Sequence, residues 1–268
     1  MTLFRVWLLW IVFTSQALAW NALGHRLIAE IASDHLTPSA KAMCRSLQGE
    51  SRYQNIVSAS TWLDDIRFKK DVYYDSMHYV DIPFSNDHSP LPPIPEHNAI
   101  SCVQSAVRVL SSQTAKRSEK TVAMRELLHV VGDIHQPLHA ATEISAQYPQ
   151  GDLGGNRVLL SHNAVANNLH AYWDRGAGFL VRSKRSKSDR VRHLALDLER
   201  RWPCHPLAMD RNPTHWAQES HDLAKRIAYA LPVDEHYQRI ASDLVQQRVA
   251  LAGCRLAGLL NHIAEITY

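Results

Sequence analysis

Apolar residues recur every three or four positions along most of this chain, and that spacing places them on one face of an α-helix. The pattern predicts nine helices, with approximate bounds 22–36, 38–47, 56–68, 98–111, 120–134, 167–174, 189–201, 214–230 and 235–266. Alternating apolar and polar runs, which are typical of strands, are few. The fold class predicted from the pattern is therefore mainly α, in a single multi-helix domain.

Two segments interrupt the helical pattern. Residues 81–96 contain five prolines and should form an irregular loop, because proline donates no backbone hydrogen bond. Residues 151–163 are rich in glycine ahead of the apolar Val158-Leu159-Leu160, so we expect a short β-hairpin there.

The first 19 residues have the three parts of a secretory signal, which are Arg5, an apolar core over 6–13 and the small-residue site Ala17-Leu18-Ala19. Cleavage there would leave one domain over residues 20–268, with Trp20 first. The remaining apolar stretches fall short of the ~18 residues that span a bilayer, since Arg255 interrupts the longest. We expect a secreted or periplasmic monomer without a membrane anchor.

Charge and cysteine content narrow the function classes. The formal net charge of +3 falls to +2 when Arg5 is removed, which is too little to coat a nucleic acid by charge alone. The four cysteines allow two disulfides in any of three pairings, and their spacing excludes a Cys-x₂-Cys zinc knuckle. They are Cys44, Cys102, Cys204 and Cys254.

The strongest candidate chemistry lies between His129 and His139. On a helix, His129 and Asp133 stand four residues apart, so both side chains project from one face and can share a metal ion. Pro137 would end that helix and turn His139 back toward the same region. A single pair at this spacing also fits a hydrogen bond on a helix surface, so the pair alone leaves both interpretations open.

The N-terminus of the processed chain is a second candidate. Its α-amine would have a pKa near ~8, so it can lose its proton and join a nearby imidazole on a metal. His25 follows Trp20 at a distance of five residues. An apolar anchor followed by a surface histidine would give the same sequence.

Nitrogen and carboxylate donors recur in three further places, Trp62-x-Asp64, His78-Tyr79-x-Asp81 and His170-x₃-Asp174. Donors of these types without a thiolate fit hydrolytic zinc better than a structural thiolate site. The full set of candidate ligands is Trp20, His25, Asp64, His78, His129, Asp133, His139, His170 and Asp174.

These segments, in this order, resemble the zinc-dependent single-strand-specific nucleases, also called type I nucleases or 3′-nucleotidases, of the phospholipase C/nuclease-like superfamily. The resemblance covers residues 20–268 nearly end to end. The matching segments are Trp20-x₄-His25, Trp62-x-Asp64, His78-Tyr79-x-Asp81, His129-x₃-Asp133-x₂-Gln136-Pro137-Leu138-His139, Asn168-Leu169-His170-x₃-Asp174, and Arg255-Leu256-Ala257 with Leu260-Asn261.

The resemblance implies the phospholipase C/nuclease-like fold and three zinc ions per chain. One zinc would be held by Asp64, His78, His129 and Asp133. A second would be held by the Trp20 amine and carbonyl, His25 and a bridging Asp133. The third would be held by His139, His170 and Asp174. The implied reaction is cleavage of single-stranded DNA and RNA to 5′-phosphates, with action on 3′-mononucleotides as well.

Three further residues have implied roles in the reaction. Arg67, three residues after Asp64, would stabilise the transition state together with the metal-binding Asp64 and Asp133, although an exposed surface charge fits equally well. Tyr79 would stack on an unpaired base and Asp81 would accept hydrogen bonds from a base edge. The alternative makes Tyr79 a core aromatic and Asp81 a loop cap.

Two other functions remain open at this point. A zinc phospholipase C shares the superfamily fold, but those lipases typically have glutamate at the position of Asp174. A non-catalytic exported zinc-binding protein would keep the ligands and block the cluster, and all nine ligand positions are filled here.

Overall fold

The computed structural model describes residues 20–48, 52–67, 72–181, 187–205 and 210–267, so the signal predicted over 1–19 lies outside the described residues. Helices dominate, which confirms the mainly α fold class. The helices of the described part are α1 (Ala22–Asp34), α2 (Pro38–Ser46), α3 (Ile56–Ala59), α4 (Trp62–Arg67), α5 (Val72–Asp75), α6 (Ala99–Ser111), α7 (Arg117–Ile134), α8 (Leu169–Asp174), α9 (Lys187–Arg201), α10 (Pro213–Leu223) and α11 (Glu235–Thr267).

Side-chain caps set the start of several helices. The Asn21 side chain accepts from the first-turn amides of α1, and Asn98 and Asn168 do the same for α6 and α8. Such caps satisfy amide groups that have no partner within a helix. Short 3₁₀ turns follow at Ser76–His78 and Pro137–His139.

Two predicted helices are divided in the structure. The segment predicted as one helix over 56–68 is α3 and α4, separated at Ser60 and Thr61. The segment predicted over 214–230 is α10 followed by a π-helical turn, Ala224–Ala228. The pattern could not separate these pieces because the apolar spacing continues across both breaks.

The predicted β-hairpin over 151–163 is wrong. The described strands are β1 (Pro83–Phe84) and β2 (Thr142–Glu143), which pair in parallel, and the glycine-rich segment contributes only the single antiparallel bridge Leu159–Asn168. Gly154 and its neighbours adopt positive φ in consecutive turns, which direct backbone carbonyls inward rather than reversing a strand.

Helix α11 is the central core helix. It packs against α1, α2, α6, α7 and α9. By length and composition α11 could span a membrane, whereas the sequence analysis expected no apolar stretch long enough to do so. However, 67% of its most apolar 18-residue stretch is buried in the fold. Its Cys254 forms a disulfide with Cys204, whereas Cys44 and Cys102 are buried free thiols, so one of the two possible disulfides forms.

Candidate metal centre

The last turns of α7 bring His129 and Asp133 to the middle of the molecule, where both are fully buried. His78, at the end of its 3₁₀ turn, meets them there. Its Nδ1 lies 2.9 Å from Asp133 Oδ2 and 3.2 Å from His129 Nε2, while His129 Nε2 lies 3.4 Å from the same Asp133 oxygen. Donor atoms of the three residues lie within 4.8 Å of one another.

Two further donors, Asp64 and His25, approach His129 from other helices and form a second cluster with it, again with donor atoms within 4.8 Å of one another. Asp64 of α4 places Oδ1 3.6 Å from His129 Nε2. His25 of α1 stacks on the His129 ring with 3.8 Å between centroids, and its Nε2 lies 3.3 Å from Asp133 Oδ1. Asp133 therefore faces donors on both sides, as a bridging carboxylate would.

A third cluster is built from His139, His170 and Asp174. His139 Nε2 lies 3.7 Å from Asp174 Oδ1, and His170 Nε2 lies 3.6 Å from Asp174 Oδ2. The two Nε2 atoms are 3.1 Å apart. The turn after α7 and the helix α8 thus supply one compact donor set.

Backbone carbonyls orient three of the imidazoles. Nδ1 of His129 donates to the Ser60 carbonyl at 2.7 Å, and Nδ1 of His139 donates to the His78 carbonyl at 2.6 Å. Nδ1 of His170 donates to the Gly154 carbonyl at 2.7 Å. Because a carbonyl only accepts, each Nδ1 carries a proton, which leaves Nε2 as the ring atom that faces its cluster and can bind a metal.

A metal ion fits this arrangement of donors. The lone pairs of His139 and His170 face each other beside the Asp174 carboxylate, an arrangement that repels unless a positive charge lies among them. Burial opposes a protonated imidazole and favours a metal ion in that role. Nitrogen and carboxylate ligands without thiolate suit zinc.

His25 fits the same conclusion. Burial, and then the nearby His129 and His139, hold the pKa of His25 well below its usual range, so the ring is neutral. Its two ring nitrogens are buried, and neither forms a hydrogen bond with any residue in the described ranges. A buried nitrogen of this kind is costly unless it binds something.

The start of the described chain is anchored between two ligand-bearing helices. The buried Trp20 indole donates to the Gly132 carbonyl at 3.0 Å, and the Asn21 amide donates to the Asp174 carbonyl at 3.0 Å. Trp20 and Asn21 are therefore held against α7 and α8, the helices that carry Asp133 and Asp174.

His135 is the histidine of this region that faces away from the clusters, in agreement with its exclusion from the sequence-predicted ligands. Its Nδ1 donates to the Val131 carbonyl at 2.7 Å, and its Nε2 accepts from Arg255 at 3.0 Å. Burial, and then Arg248 and Arg255, hold its pKa well below the usual range. The ring ties α7 to α11.

The predicted substrate-binding residues lie just after His78. Tyr79 and Asp81 are both partly buried, and Asp81 adopts φ 52°. Burial, and then Asp152, raise the pKa of the Asp81 carboxyl to about 7. The side chain of Arg67, which ends α4, lies outside the described part of the structure.

A sequence model of the S1/P1 nuclease family matches residues 20–265. The chain belongs to the S1/P1 nuclease family. S1/P1 nucleases are zinc-dependent, single-strand-preferring endonucleases, and the three buried clusters here suit three zinc ions.

Three relatives illustrate the similarity within the S1/P1 family. The chain is 28% identical to endonuclease 3 of Arabidopsis thaliana over 293 residues, which cover 97% of this chain and 95% of that protein. It is 26% identical to nuclease P1 of Penicillium citrinum over 164 residues, 58% of this chain and 57% of that one. It is 25% identical to nuclease S1 of Aspergillus oryzae over 164 residues, 58% of this chain and 53% of that one. The family match favours the nuclease over the phospholipase C alternative.

Sequence reasoning missed two residues that shape this S1/P1 site. A Cβ at Gly132 would lie 2.9 Å from His25 Nδ1, so this glycine lets α1 approach α7 closely. Gln136 donates from Nε2 to Asp174 Oδ1 at 2.8 Å and thereby orients a ligand. Both lie within the His129–His139 segment, but their roles depend on contacts with α1 and α8 that the sequence does not display.

Proposed function

We propose that the processed chain is a secreted or periplasmic trinuclear zinc endonuclease that hydrolyses phosphodiester bonds of single-stranded DNA and RNA, leaving 5′-phosphates and free 3′-hydroxyls. We infer that it also removes phosphate from 3′-mononucleotides and acts as a monomer. The observation that carries the proposal is the set of three buried His/Asp clusters within a chain that matches the nuclease family over 20–265.

The ligand assignment is the one that the resemblance implies, and the closeness of the His and Asp donors supports it. One zinc is assigned to Asp64, His78, His129 and Asp133, a second to Trp20, His25 and Asp133, and a third to His139, His170 and Asp174. When bound, zinc supplies Lewis-acid polarisation of phosphate oxygens and a lowered pKa of water. The protein contributes imidazoles oriented by carbonyls, which keep the donor atoms in place without reorganisation.

Removal of the signal before Trp20 completes the second site in this proposal. The indole contact with Gly132 and the Asn21 contact with Asp174 support it, because they hold Trp20 and Asn21 against the two helices that carry ligands. The single domain would then be residues 20–268. A chain that keeps its first 19 residues has an amide at this position and should hold one zinc less.

Substrate contacts are assigned to the residues around the first cluster. Arg67 would pair with the phosphate through its guanidinium. Tyr79 would stack on an unpaired base, and Asp81 would recognise a base edge. Because the pKa of Asp81 is about 7, its carboxyl would be able both to donate and to accept near neutral pH.

Digestion of circular single-stranded DNA by the processed protein tests the proposal, before and after chelation and with zinc restored. We expect zinc-dependent cutting that leaves 5′-phosphates, with phosphate release from 3′-AMP but not from 5′-AMP. Asp133→Asn should abolish cutting and zinc binding at two sites. Asp222→Asn, at a surface aspartate of α10 that bonds Gln218, should change neither.

Duplex DNA and phosphatidylcholine serve as substrate controls. Hydrolysis of the lipid alone would assign the chain to the phospholipases. Tight zinc binding without either activity would favour a binding protein.

A further inference from the structure

Arg125 lies on α7 four residues before His129, on the same face of the helix. Trp62 begins α4 two residues before Asp64. The two helices that bring Asp64 and His129 together therefore also bring Arg125 and Trp62 together, about one helical turn from the cluster along α7.

The Arg125 guanidinium is held by two aromatic rings. Its Cζ lies 5.1 Å from the ring centroid of Tyr53 and 5.4 Å from that of Trp62, both within the range of cation–π contacts. The rings are themselves fixed, since the Tyr53 hydroxyl donates to Asp65 at 2.9 Å and Trp62 meets the edge of Tyr74 at 5.9 Å. Arg125, Tyr53 and Trp62 form what we call the arginine clamp.

The clamp leaves the guanidinium without an anionic partner. Within the described ranges Arg125 makes no hydrogen bond and no ion pair, and burial is the main cause that lowers its pKa. Glu126 does not neutralise it, since burial alone raises the pKa of that carboxyl. Cation–π contacts occupy the faces of a guanidinium and leave its in-plane N–H donors for an acceptor.

The local charge favours an anion. The Cζ atom of Arg52 lies 5.7 Å from the centroid of the Tyr53 ring, and its guanidinium pairs with Asp65 at 3.1 Å. Asp65, the carboxylate that bonds Tyr53, therefore already has a cationic partner. Arg52, Arg125 and Asp65 leave a net positive charge beside partly exposed aromatic rings. Grooves that bind single strands combine these two features.

We propose that the arginine clamp is a phosphate subsite for the polynucleotide strand outside the scissile bond. Arg125 would pair with a flanking phosphodiester, and the edges of Tyr53 and Trp62 would contact the adjoining sugar or base. This inference rests on the proposed nuclease function and adds a strand contact to it.

Substrate length separates this role from the chemistry. A dinucleoside monophosphate carries only the scissile phosphate, whereas a long oligothymidylate also carries flanking phosphates. Arg125→Gln should lower kcat/KM on the oligothymidylate about tenfold, the size of one charge-assisted hydrogen bond at a partly exposed site. On the dinucleoside monophosphate its kcat/KM should stay within about twofold of that of the unaltered protein.

Salt dependence gives a second readout. Loss of one phosphate contact should make the slope of log(kcat/KM) against log[salt] shallower by about 0.7 on the single strand. Arg125→Lys keeps the charge and should restore most of the slope but not the full kcat/KM. Arg200→Gln is the matched control, because Arg200 pairs with Asp197 on its own helix α9, and it should leave both values unchanged.

The remaining outcomes decide whether Arg125 binds a flanking phosphate or only stabilises the fold. Equal losses on both substrates, or an unchanged salt slope, would show that Arg125 only stabilises the fold. If Arg125→Gln melts early, the kcat/KM of Arg125→Lys decides instead: a loss on the oligothymidylate alone supports the clamp, and an equal kcat/KM to that of the unaltered protein on both substrates overturns it. If the unaltered protein does not cut at all, the proposed function fails. Fluorescence anisotropy of labelled oligothymidylate then still tests the clamp, because equal affinities of the unaltered and Arg125→Gln proteins for this strand would overturn it.

Discussion

Gln136 links two parts of the third cluster through one buried amide. Its Nε2 donates to Asp174 Oδ1 at 2.8 Å, and its Oε1 accepts from the Leu138 amide at 2.6 Å in the turn that carries His139. The side chain therefore orients a carboxylate ligand and supports the turn that presents an imidazole ligand. Hydrogen bonds that orient a metal ligand in this way raise the affinity for the metal.

Replacing Gln136 with leucine should weaken zinc binding at the third cluster about 10–100-fold, because Asp174 loses its orienting donor. Zinc titration of the apoprotein measures this directly. Gln218→Leu is the control, since Gln218 is exposed and its side chain donates to the surface Asp222, away from the ligands. Unchanged affinity for the third zinc in Gln136→Leu would show that the amide does not position the ligand.

Asp81 should make stability depend on pH. Its folded pKa of about 7 lies above the ordinary value, so the stability associated with its protonated carboxyl is present below about pH 4 and is lost as the pH rises through about 7. Asparagine is neutral at all these pH values and tolerates the positive φ. Asp81→Asn should therefore raise Tm more near pH 8 than near pH 5.

Asp87→Asn is the matched control, because the pKa of Asp87 is shifted in the direction opposite to that of Asp81. Ser89, Ala146 and Ser85 donate to Asp87 and hold the pKa of its carboxyl below the usual range, so its contribution is present at neutral pH and lost on acidification. That variant should lower Tm at neutral pH. An equal change of Tm for Asp81→Asn at both pH values would contradict the burial of its charge.

At the scale of elements, the break between α3 and α4 shows what the sequence could not reveal. The apolar spacing predicts one helix over 56–68, whereas the structure ends α3 before Ser60. The Ser60 carbonyl accepts from His129 Nδ1, a residue 69 positions away. A tertiary contact of this length has no local signal, so its helix boundary could not be predicted.

The contact between α1 and α7 depends on Gly132. A Cβ there would lie 2.9 Å from His25 Nδ1 and 3.1 Å from Ile28 Cδ1, so Gly132→Ala should push α1 away from Asp133. The expected result is weaker zinc binding at the site of His25 together with a lower Tm. Zinc content and thermal melting measure the two effects.

Gly253→Ala is the control for Gly132→Ala. Its added Cβ would crowd Ile31, on the part of α1 that packs against α11, and would not meet any ligand side chain. Tm should fall while zinc binding stays complete. Equal zinc loss in the two variants would mean that any disturbance of α1 empties the site.

At the scale of the whole molecule, ligands from distant segments meet in one buried region. Residue types and spacing pointed to the His/Asp donors, and the resemblance divided them into three sets. The structure also brings the His/Asp donors together in three clusters, of which the third equals the implied set, while the other two share His129 and divide the remaining donors differently. The carbonyls of Ser60, His78 and Gly154, which fix the tautomers, could not be predicted because any residue type supplies a carbonyl.

Burial of the ligand carboxylates should make the stability of the fold depend on bound metal. Asp133 is fully buried among imidazoles, and buried charge is costly without a counter-charge. Chelation should therefore lower Tm by several degrees, and zinc should restore it better than magnesium or calcium, which prefer oxygen ligands. A Tm that is indifferent to chelation and zinc would show that the clusters are stable without metal.

The most direct test of the central claim is anomalous X-ray scattering at the zinc edge from crystals of the processed chain. We predict three zinc peaks per chain, one in each assigned set, at about 2.0–2.2 Å from the nitrogen and oxygen donors. Zinc confined to the surface, or a set without a peak in zinc-saturated crystals, would contradict the trinuclear assignment.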